Sequence, residues 1–484
     1  MTNIIFKNQH IEIFRYLVIA LFNNNDDADT KNAAEPTNMN KSIQSFDPSN
    51  GELLGEVNQT SAEEVTQTIH KAKAAQKAWR KLSMNERVLT IIKAYQQLDK
   101  YEESLSQLLA REMGKDIRRA TGEATGAIYM GQHYAEDAQR ALNTRKLSGS
   151  TELQYRPLGV VGVISPWNYP VMMANNLIVP ALVAGNSVIL KPSEETPLIA
   201  EAFFGELQKY LPENVLTVMQ GDGETGKALV EGDIQMIAFT GSKAIGQDIM
   251  RRAASKVKRL VMELGGKDPM IVMRDANLEQ AARFAVAGSF ENSGQMCTSI
   301  ERIYVDDRIA EKFEQRVTEI ANMYQIGPWD MPNVNIGPII NATQHGKIVD
   351  QLKDAKQKGA TFLLGGSEQP ERYIRPTVIT GMTAEMKLET EETFGPVVSI
   401  SRYSDIEGAI ERANASEYGL GAVVFGNQGV NDVADELDAG MVGINQGQGG
   451  SGDAPWVGAK QSGLGYHGSV DGHRQFAQVK VVSR

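Results

Sequence analysis

From Val160 onward, short apolar runs alternate with helical stretches, and this rhythm constrains the fold more than any other feature of the chain. The runs cover residues 160–164, 187–190, 215–219, 236–239 and 260–262, and each ends at a polar or glycine turn. A strand covered on both faces reads as a continuous apolar run, and parallel strands need crossover helices between them. The pattern therefore predicts parallel sheets flanked by helices. After Gly265-Gly266 the alternation restarts. Strands are expected at 270–272, 302–305, 397–400, 423–425 and 441–444, with helices over 278–287, 310–324 and 344–358.

The 484 residues exceed what one hydrophobic core organises, so two α/β units joined near Gly265 are expected. Ahead of them, Ser61-Ala62-Glu63-Glu64 has the spacing of a capping box opening a helix with Val65, Ile69 and Ala72 on one face. A second helical pattern carries Val88, Ile91, Ile92, Tyr95 and Leu98. Residues 143–155 and 476–482 read as strand-like edges able to pair with another subunit. At the start, residues 11–22 are mostly apolar but interrupted by Glu12 and Arg15, too short for a bilayer and without signal-peptide character. Residues 23–38 are polar and read as disordered, and Met39 is the expected natural start, the alternative being a real, partly helical extension.

A net charge of -11 without clustered Lys and Arg disfavours a nucleic-acid partner. A mean hydropathy of -0.30 and the lack of a long apolar run argue against a membrane span. The single cysteine, Cys297, rules out an internal disulfide framework and fits a reducing, cytoplasmic setting.

Six segments have chemistry to offer, and each has a plainer reading. Cys297 lies among small residues in Asn292-Ser293-Gly294-Gln295-Met296-Cys297, where a thiolate could attack a carbonyl; a lone cysteine is otherwise a small buried hydrophobe. Glu263 ends an apolar strand before Gly265-Gly266, where burial would raise its pKa as a general base requires; it could equally be a cap or ion-pair partner. Asn168, in Pro166-Trp167-Asn168-Tyr169-Pro170, could donate to an oxyanion or simply make a turn. Phe239-Thr240-Gly241-Ser242 with Gly246 places a glycine turn before a helix, which suits a pyrophosphate but is not the G-x-G-x-x-G fingerprint. Lys191-Pro192-Ser193-Glu194 could hold a ribose or be surface charge. Glu392-Thr393-Phe394-Gly395-Pro396 could hold a second ribose and a flat ring, or turn into the next strand.

The order of these segments resembles that of the aldehyde dehydrogenase superfamily, from about Phe46 to the C-terminus, and Gly458-Ala459-Lys460-Gln461-Ser462-Gly463 is similar to its late signature. The resemblance implies that Cys297 is the thiol nucleophile, Glu263 the base, and Asn168 with the Cys297 backbone N–H the oxyanion hole. It implies adenine-ribose contacts from Lys191, Ser193 and Glu194, and a pyrophosphate turn at Gly241, Ser242 and Gly246. Pro166, Trp167 and Leu264 are expected to line the cofactor site, with Glu392 and Phe394 at the nicotinamide end. Asn445 falls where the family has an active-site asparagine.

The implied fold has a Rossmann-like cofactor domain (41–142, 156–264, with 447–466 returning to it), a catalytic domain (265–446) and an oligomerisation arm (143–155, 467–484). A homodimer or homotetramer and no metal are expected. The implied reaction oxidises an aldehyde to the acid through a thiohemiacetal and a thioester. Glu263 separates the chain from CoA-acylating relatives, which generally lack the base, and the retained Cys297, Glu263 and Asn168 separate it from an inactive binding or structural relative. Glu194 favours NAD over NADP, because a carboxylate accepts from a ribose 2′-OH and repels a 2′-phosphate. Asn176 and Leu177 stand where succinate-semialdehyde members tend to carry basic residues, and Trp456-Val457 where many members have Phe and Gly.

Overall fold

A computed structural model of the chain describes residues 41–449 and 452–484, so the expectations about residues 1–40 lie outside the described residues. The helices begin where the sequence provides caps. Ser61 accepts from the Glu64 N–H, and Glu64 reaches back to the Ser61 N–H at 2.7 Å, which opens the helix Ala62–Trp79 as expected. Ser83 and Glu86 repeat this box at the helix Met84–Gln96, whose Val88, Ile91 and Tyr95 are buried.

A longer helix, Ile117–Ala141, had no clear sequence signal. It packs through Ala120, Ala124, Ala127, Ala135 and Ala138 rather than through large apolar residues. At Gly131 the Tyr95 ring occupies the space a side chain would need. Tyr95 in turn donates to Asn175 at 2.6 Å, and Asn175 donates to the Ala127 carbonyl at 2.6 Å. These bonds dock the apolar helix Pro170–Val183. Carbonyls at its C-terminal end accept from Trp79 (Leu182 O, 2.9 Å) and Arg87 (Val183 O, 2.9 Å), side chains of the first two helices.

The strand rhythm resolves into two large sheets. The first is six-stranded, in the order β20-β9-β8-β5-β6-β7. Its members are β5 (Val160–Ile164), β6 (Ser187–Lys191), β7 (Leu216–Val218), β8 (Met236–Thr240), β9 (Arg259–Glu263) and β20 (Gly463–Leu464). All pair in parallel except β20, which runs antiparallel to β9. The strand order reverses at β5, between β6 and β8, so a crevice opens at the carboxyl ends of β5 and β8.

The chain leaves this sheet at Glu263 and enters the second, seven-stranded sheet at Asp268. Its order is β12-β13-β14-β11-β10-β16-β17. These are β10 (Asp268–Val272), β11 (Ile300–Asp306), β12 (Thr361–Leu364), β13 (Thr377–Thr380), β14 (Val397–Tyr403), β16 (Gly421–Phe425) and β17 (Met441–Ile444). Only β12 is antiparallel. Helices Leu278–Phe290 and Asp307–Ala321 cover it, packing Ala285, Phe290 and Phe313 against Met270 and Ile303.

The smaller pairings complete the chain. A hairpin joins β1 (Ser42–Phe46) to β2 (Leu53–Asn58). β15 (Tyr418–Gly419) pairs with β19 (Ala459–Lys460), and β18 (Trp456–Val457) with β21 (Tyr466–His467). The two strand-like edges find each other within the chain: β4 (Thr151–Pro157) lies between β3 (Arg145–Lys146) and β22 (Ala477–Ser483). Among the described residues, no helix is long and apolar enough to cross a membrane.

His467 and His473 are buried near this C-terminal segment, and no ring nitrogen of either has a hydrogen-bond partner. Burial pushes both pKa values down to about 4, from an ordinary value of 6.5. The folded state thus binds fewer protons than the unfolded one below pH 6.5. Stability is complete above that pH and falls as the pH drops toward 4, by roughly 3 kcal/mol for each histidine. The melting temperature of His473→Gln should therefore fall less steeply than that of the wild type between pH 6.5 and 4.5; parallel curves would contradict this.

Candidate active site

The segment that follows β5 turns sharply into the helix Pro170–Val183 and presents Trp167, Asn168 and Tyr169 at the crevice. Asn168 is held from several sides. Its carbonyl accepts from Lys115 Nζ at 2.8 Å and from Asn292 Nδ2 at 3.1 Å, and its own amide donates to the Gln295 carbonyl at 3.1 Å. Lys115 is itself buried against Glu123 at 2.5 Å. The amide has two N–H groups, and this bond uses one of them.

Cys297 follows the helix Leu278–Phe290 through a tight turn in which Asn292, Ser293 and Gly294 all have positive φ (50°, 60° and 73°). Left-handed backbone at two non-glycine residues costs on the order of 1–3 kcal/mol each. The surroundings over-determine it. Asn292 donates to the Gln295 carbonyl (3.2 Å), Ser293 Oγ accepts from the Gly337 N–H (2.9 Å), and the Gln295 amide oxygen accepts from the Ile340 N–H (3.0 Å). Cys297 is half-buried and lines the cleft.

Glu263 ends β9 facing Cys297, and neither carboxylate oxygen has a hydrogen-bond partner. Burial raises its pKa to about 7; the neighbouring Cys297 thiol and Trp456 indole pull it down, and Glu392 pushes it up. Conversely, burial and the Glu263 carboxylate push the Cys297 thiol well above its ordinary range. The backbone beyond Glu263 is pinned by the late signature: Leu264 N–H donates to the Ser462 carbonyl (2.8 Å), and Ser462 Oγ donates to the Gly265 carbonyl (2.7 Å). A side chain on Gly266 would overlap the Cys297 carbonyl oxygen, and one on Gly265 would overlap the Glu392 carboxylate.

Glu392 accepts from the Gly266 N–H at 3.1 Å, and burial raises its pKa to about 7. Phe394 has φ 56° and meets the Trp167 ring edge-to-face at 5.5 Å. A buried ion pair fixes this turn: Lys267 lies 2.7 Å from Glu301, which accepts from the Thr393 and Phe394 N–H groups at 2.8 Å each. Ser242 caps the helix Lys243–Ala254. Gly246 leaves room for Leu264, whose Cδ2 would stand 2.6 Å from a Cβ there.

Of the expected site residues, Pro166, Trp167, Asn168, Gly241, Ser242, Glu263, Leu264, Cys297, Glu392 and Phe394 line one cleft with a cavity of about 190 Å³. Lys191, Ser193 and Glu194 stand apart from that lining, at the carboxyl end of β6, where Lys191 holds Glu194 at 2.8 Å. Asn445 does not reach the cleft. Its amide bonds both backbone groups of Gly426 (2.9 and 3.1 Å), just beyond β16, and its φ is 54°. Gln448 approaches the nucleophile segment instead, donating to the Thr298 carbonyl at 2.7 Å. Asn176 is half-buried with an unpartnered Oδ1, and Leu177 is buried. Lys115–Glu123, Lys267–Glu301 and Ser462 escaped the sequence reading as supports of the site, although Lys267 and Ser462 lie inside or beside the motifs quoted.

The chain belongs to the aldehyde dehydrogenase family, whose profile matches residues 35–482. It is 38% identical over 450 residues to a probable succinate-semialdehyde dehydrogenase (NADP(+)) of Sinorhizobium fredii, covering 90% of this chain and 91% of that one. It is 33% identical to the 3-sulfolactaldehyde dehydrogenase of Pseudomonas putida, covering 90% and 92%. The crystal structure of lactaldehyde dehydrogenase from Escherichia coli superposes with a TM-score of 0.88 at 31% identity, covering 92% and 96%. This protein is accordingly an oxidoreductase that oxidises aldehydes with a nicotinamide cofactor.

Because Cys297 is the only cysteine, labelling is unambiguous. Iodoacetamide should add one equivalent and abolish activity, at a rate still rising above pH 9 because the resting thiol holds its proton. A rate already level at pH 8 would contradict the elevated thiol.

Proposed function

We propose that Cys297, Glu263 and Asn168 carry the aldehyde oxidation, and the observation that carries this reading is the buried, unpartnered Glu263 carboxylate facing the only thiol. Cys297 Sγ attacks the carbonyl carbon as Glu263 takes the thiol proton. The free N–H of the Asn168 amide and the Cys297 backbone N–H stabilise the oxyanion. A nicotinamide cofactor bound here would supply the acceptor for the hydride that leaves this carbon. Glu263 gives the thiol's proton up to solvent, and the carboxylate so regenerated deprotonates the water that opens the thioester and releases the free acid.

The residues present suit such a cofactor. The Thr240 hydroxyl is buried without a partner beside the glycine turn, and Gly246 keeps the start of the helix close to Leu264. Gly241, Ser242 and Gly246 would take the pyrophosphate, Lys191, Ser193 and Glu194 the adenine ribose, and Pro166, Trp167, Leu264, Glu392 and Phe394 the nicotinamide half. In this reading the six-stranded sheet belongs to the cofactor domain, the seven-stranded sheet to the catalytic domain, and β3, β4 and β22 to an arm that joins a cytoplasmic homodimer or homotetramer.

Glu263→Gln should slow the NADH burst, which still needs no CoA, and mainly block deacylation, losing about 10²–10³-fold in steady-state turnover. Cys297→Ala should lose both phases. Steady NADH production by Cys297→Ala would refute the scheme, and a burst that needs CoA would point to acyl transfer.

Glu194 supports a preference for NAD, although the Sinorhizobium relative is named for NADP(+). Its half-exposed carboxylate, fixed by Lys191, suits a 2′-OH and opposes a 2′-phosphate. The wild type should show kcat/KM at least about tenfold higher with NAD, and Glu194→Ser should narrow the ratio. Equal efficiencies in the wild type would reverse the assignment.

A further inference from the structure

Trp456 is a departure from the family's late signature, and its surroundings give it a task. β18 and β21 pair Trp456 with His467, and the two rings stack at 6.5 Å with 21° between their planes. The far edge of the indole packs on Gly449, whose Cβ position lies 3.1 Å from Trp456 Cζ3. Close by in sequence, β20 pairs Gly463 with Glu263 itself. The same short segment thus builds the edge of the sheet that carries Glu263 and presents an indole beside it. The indole N–H is buried and has no hydrogen-bond partner, and neither do the two Glu263 oxygens.

A buried donor and a buried acceptor that both lack partners are each costly, by about 1–3 kcal/mol. Here they are neighbours. Trp456 lies close enough to lower the Glu263 pKa, although the pair does not reach hydrogen-bond geometry in this structure. We propose that Trp456 is a positioning residue for Glu263: its indole N–H holds one carboxylate oxygen while the other takes a proton from the thiol or from water. The inference rests on Glu263 being the base. Phenylalanine at this position would fill much of the same space but donate nothing.

The other groups facing the carboxyl are Cys297 and Glu392, the latter with Lys347 and Lys267 near it. His467, behind the indole, is neutral above about pH 4 and contributes no charge at neutral pH. An indole donor favours the ionised carboxylate, so its removal raises the pH at which Glu263 becomes a base.

Two measurements test this. The first is the pH profile of Trp456→Phe. Its kcat should fall about 3–10-fold at pH 7 and recover by pH 9, with aldehyde KM changed less than about twofold and the NADH burst retained. A loss that is uniform across pH, as a merely structural role would give, or an unmoved acid limb overturns the proposal. The second does not depend on the variant folding. With ¹⁵N-labelled tryptophan the four indole resonances are resolvable, and that of Trp456 should titrate with a midpoint near 7 and stop titrating in Glu263→Gln. A Trp456 resonance indifferent to Glu263 overturns the proposal while leaving Glu263 as the base. Normal deacylation by Glu263→Gln would instead remove the base, and the positioning role with it.

Discussion

The backbone has to pass through the contact between the nucleophile and the cofactor-side carboxylate, and Gly265-Gly266 is where it does so. Two sheets meet across this passage. On one side stands the end of β9 with Glu263, and on the other the Cys297 carbonyl and the Glu392 carboxylate occupy the positions that side chains would fill. Close approach of backbone to reacting groups is a use to which glycine alone is suited. Three hydrogen bonds hold the passage: Gly266 N–H to Glu392, the Gly265 carbonyl to Ser462, and Leu264 N–H to the Ser462 carbonyl. The positions of thiol, base and carboxylate are therefore set together by a few residues of main chain.

Around this passage, buried charge is used for fixation. Lys115–Glu123 anchors the Asn168 carbonyl, and Lys267–Glu301 anchors the turn bearing Glu392 and Phe394. A buried pair is weak evidence for net stability, but removing one partner is expensive, so such pairs hold geometry well. Glu263 differs from all of these. It is buried with neither cation nor hydrogen bond, and a carboxyl in that condition keeps its proton to near neutrality. The protein spends its pairing on the residues that must stay still and leaves the titrating one unpaired.

Much of this was legible in the sequence, for identifiable reasons. Strands buried on both faces read as uninterrupted apolar runs, so β5, β6, β8 and β16 were found near their true limits. Trp167, Gly241 and Glu263 lie at or just beyond the carboxyl ends of β5, β8 and β9, and Phe394 in the turn that leads into β14, and all four converge on one cleft. The helix Ile117–Ala141 was silent because it packs through alanine and glycine, which carry little periodic hydrophobic signal. Lys267 and Glu301 are 34 residues apart, and charge in a sequence reads as surface until the partner is known. Asn445 stood at its place by resemblance alone, and its amide is held by Gly426 instead.

The pairing of β4 with β22 has a consequence in time. Thr151 and Ser483 face each other 332 residues apart, and β20, which closes the sheet edge beside Glu263, also lies near the end of the chain. At ribosomal rates of about 5–20 residues per second, β4 waits roughly 15–65 s for its partner. During synthesis both sheet edges are therefore open, each a template for unwanted pairing. The final stretch that completes the base's strand also covers these edges, so an unfinished chain is at once inactive and adhesive.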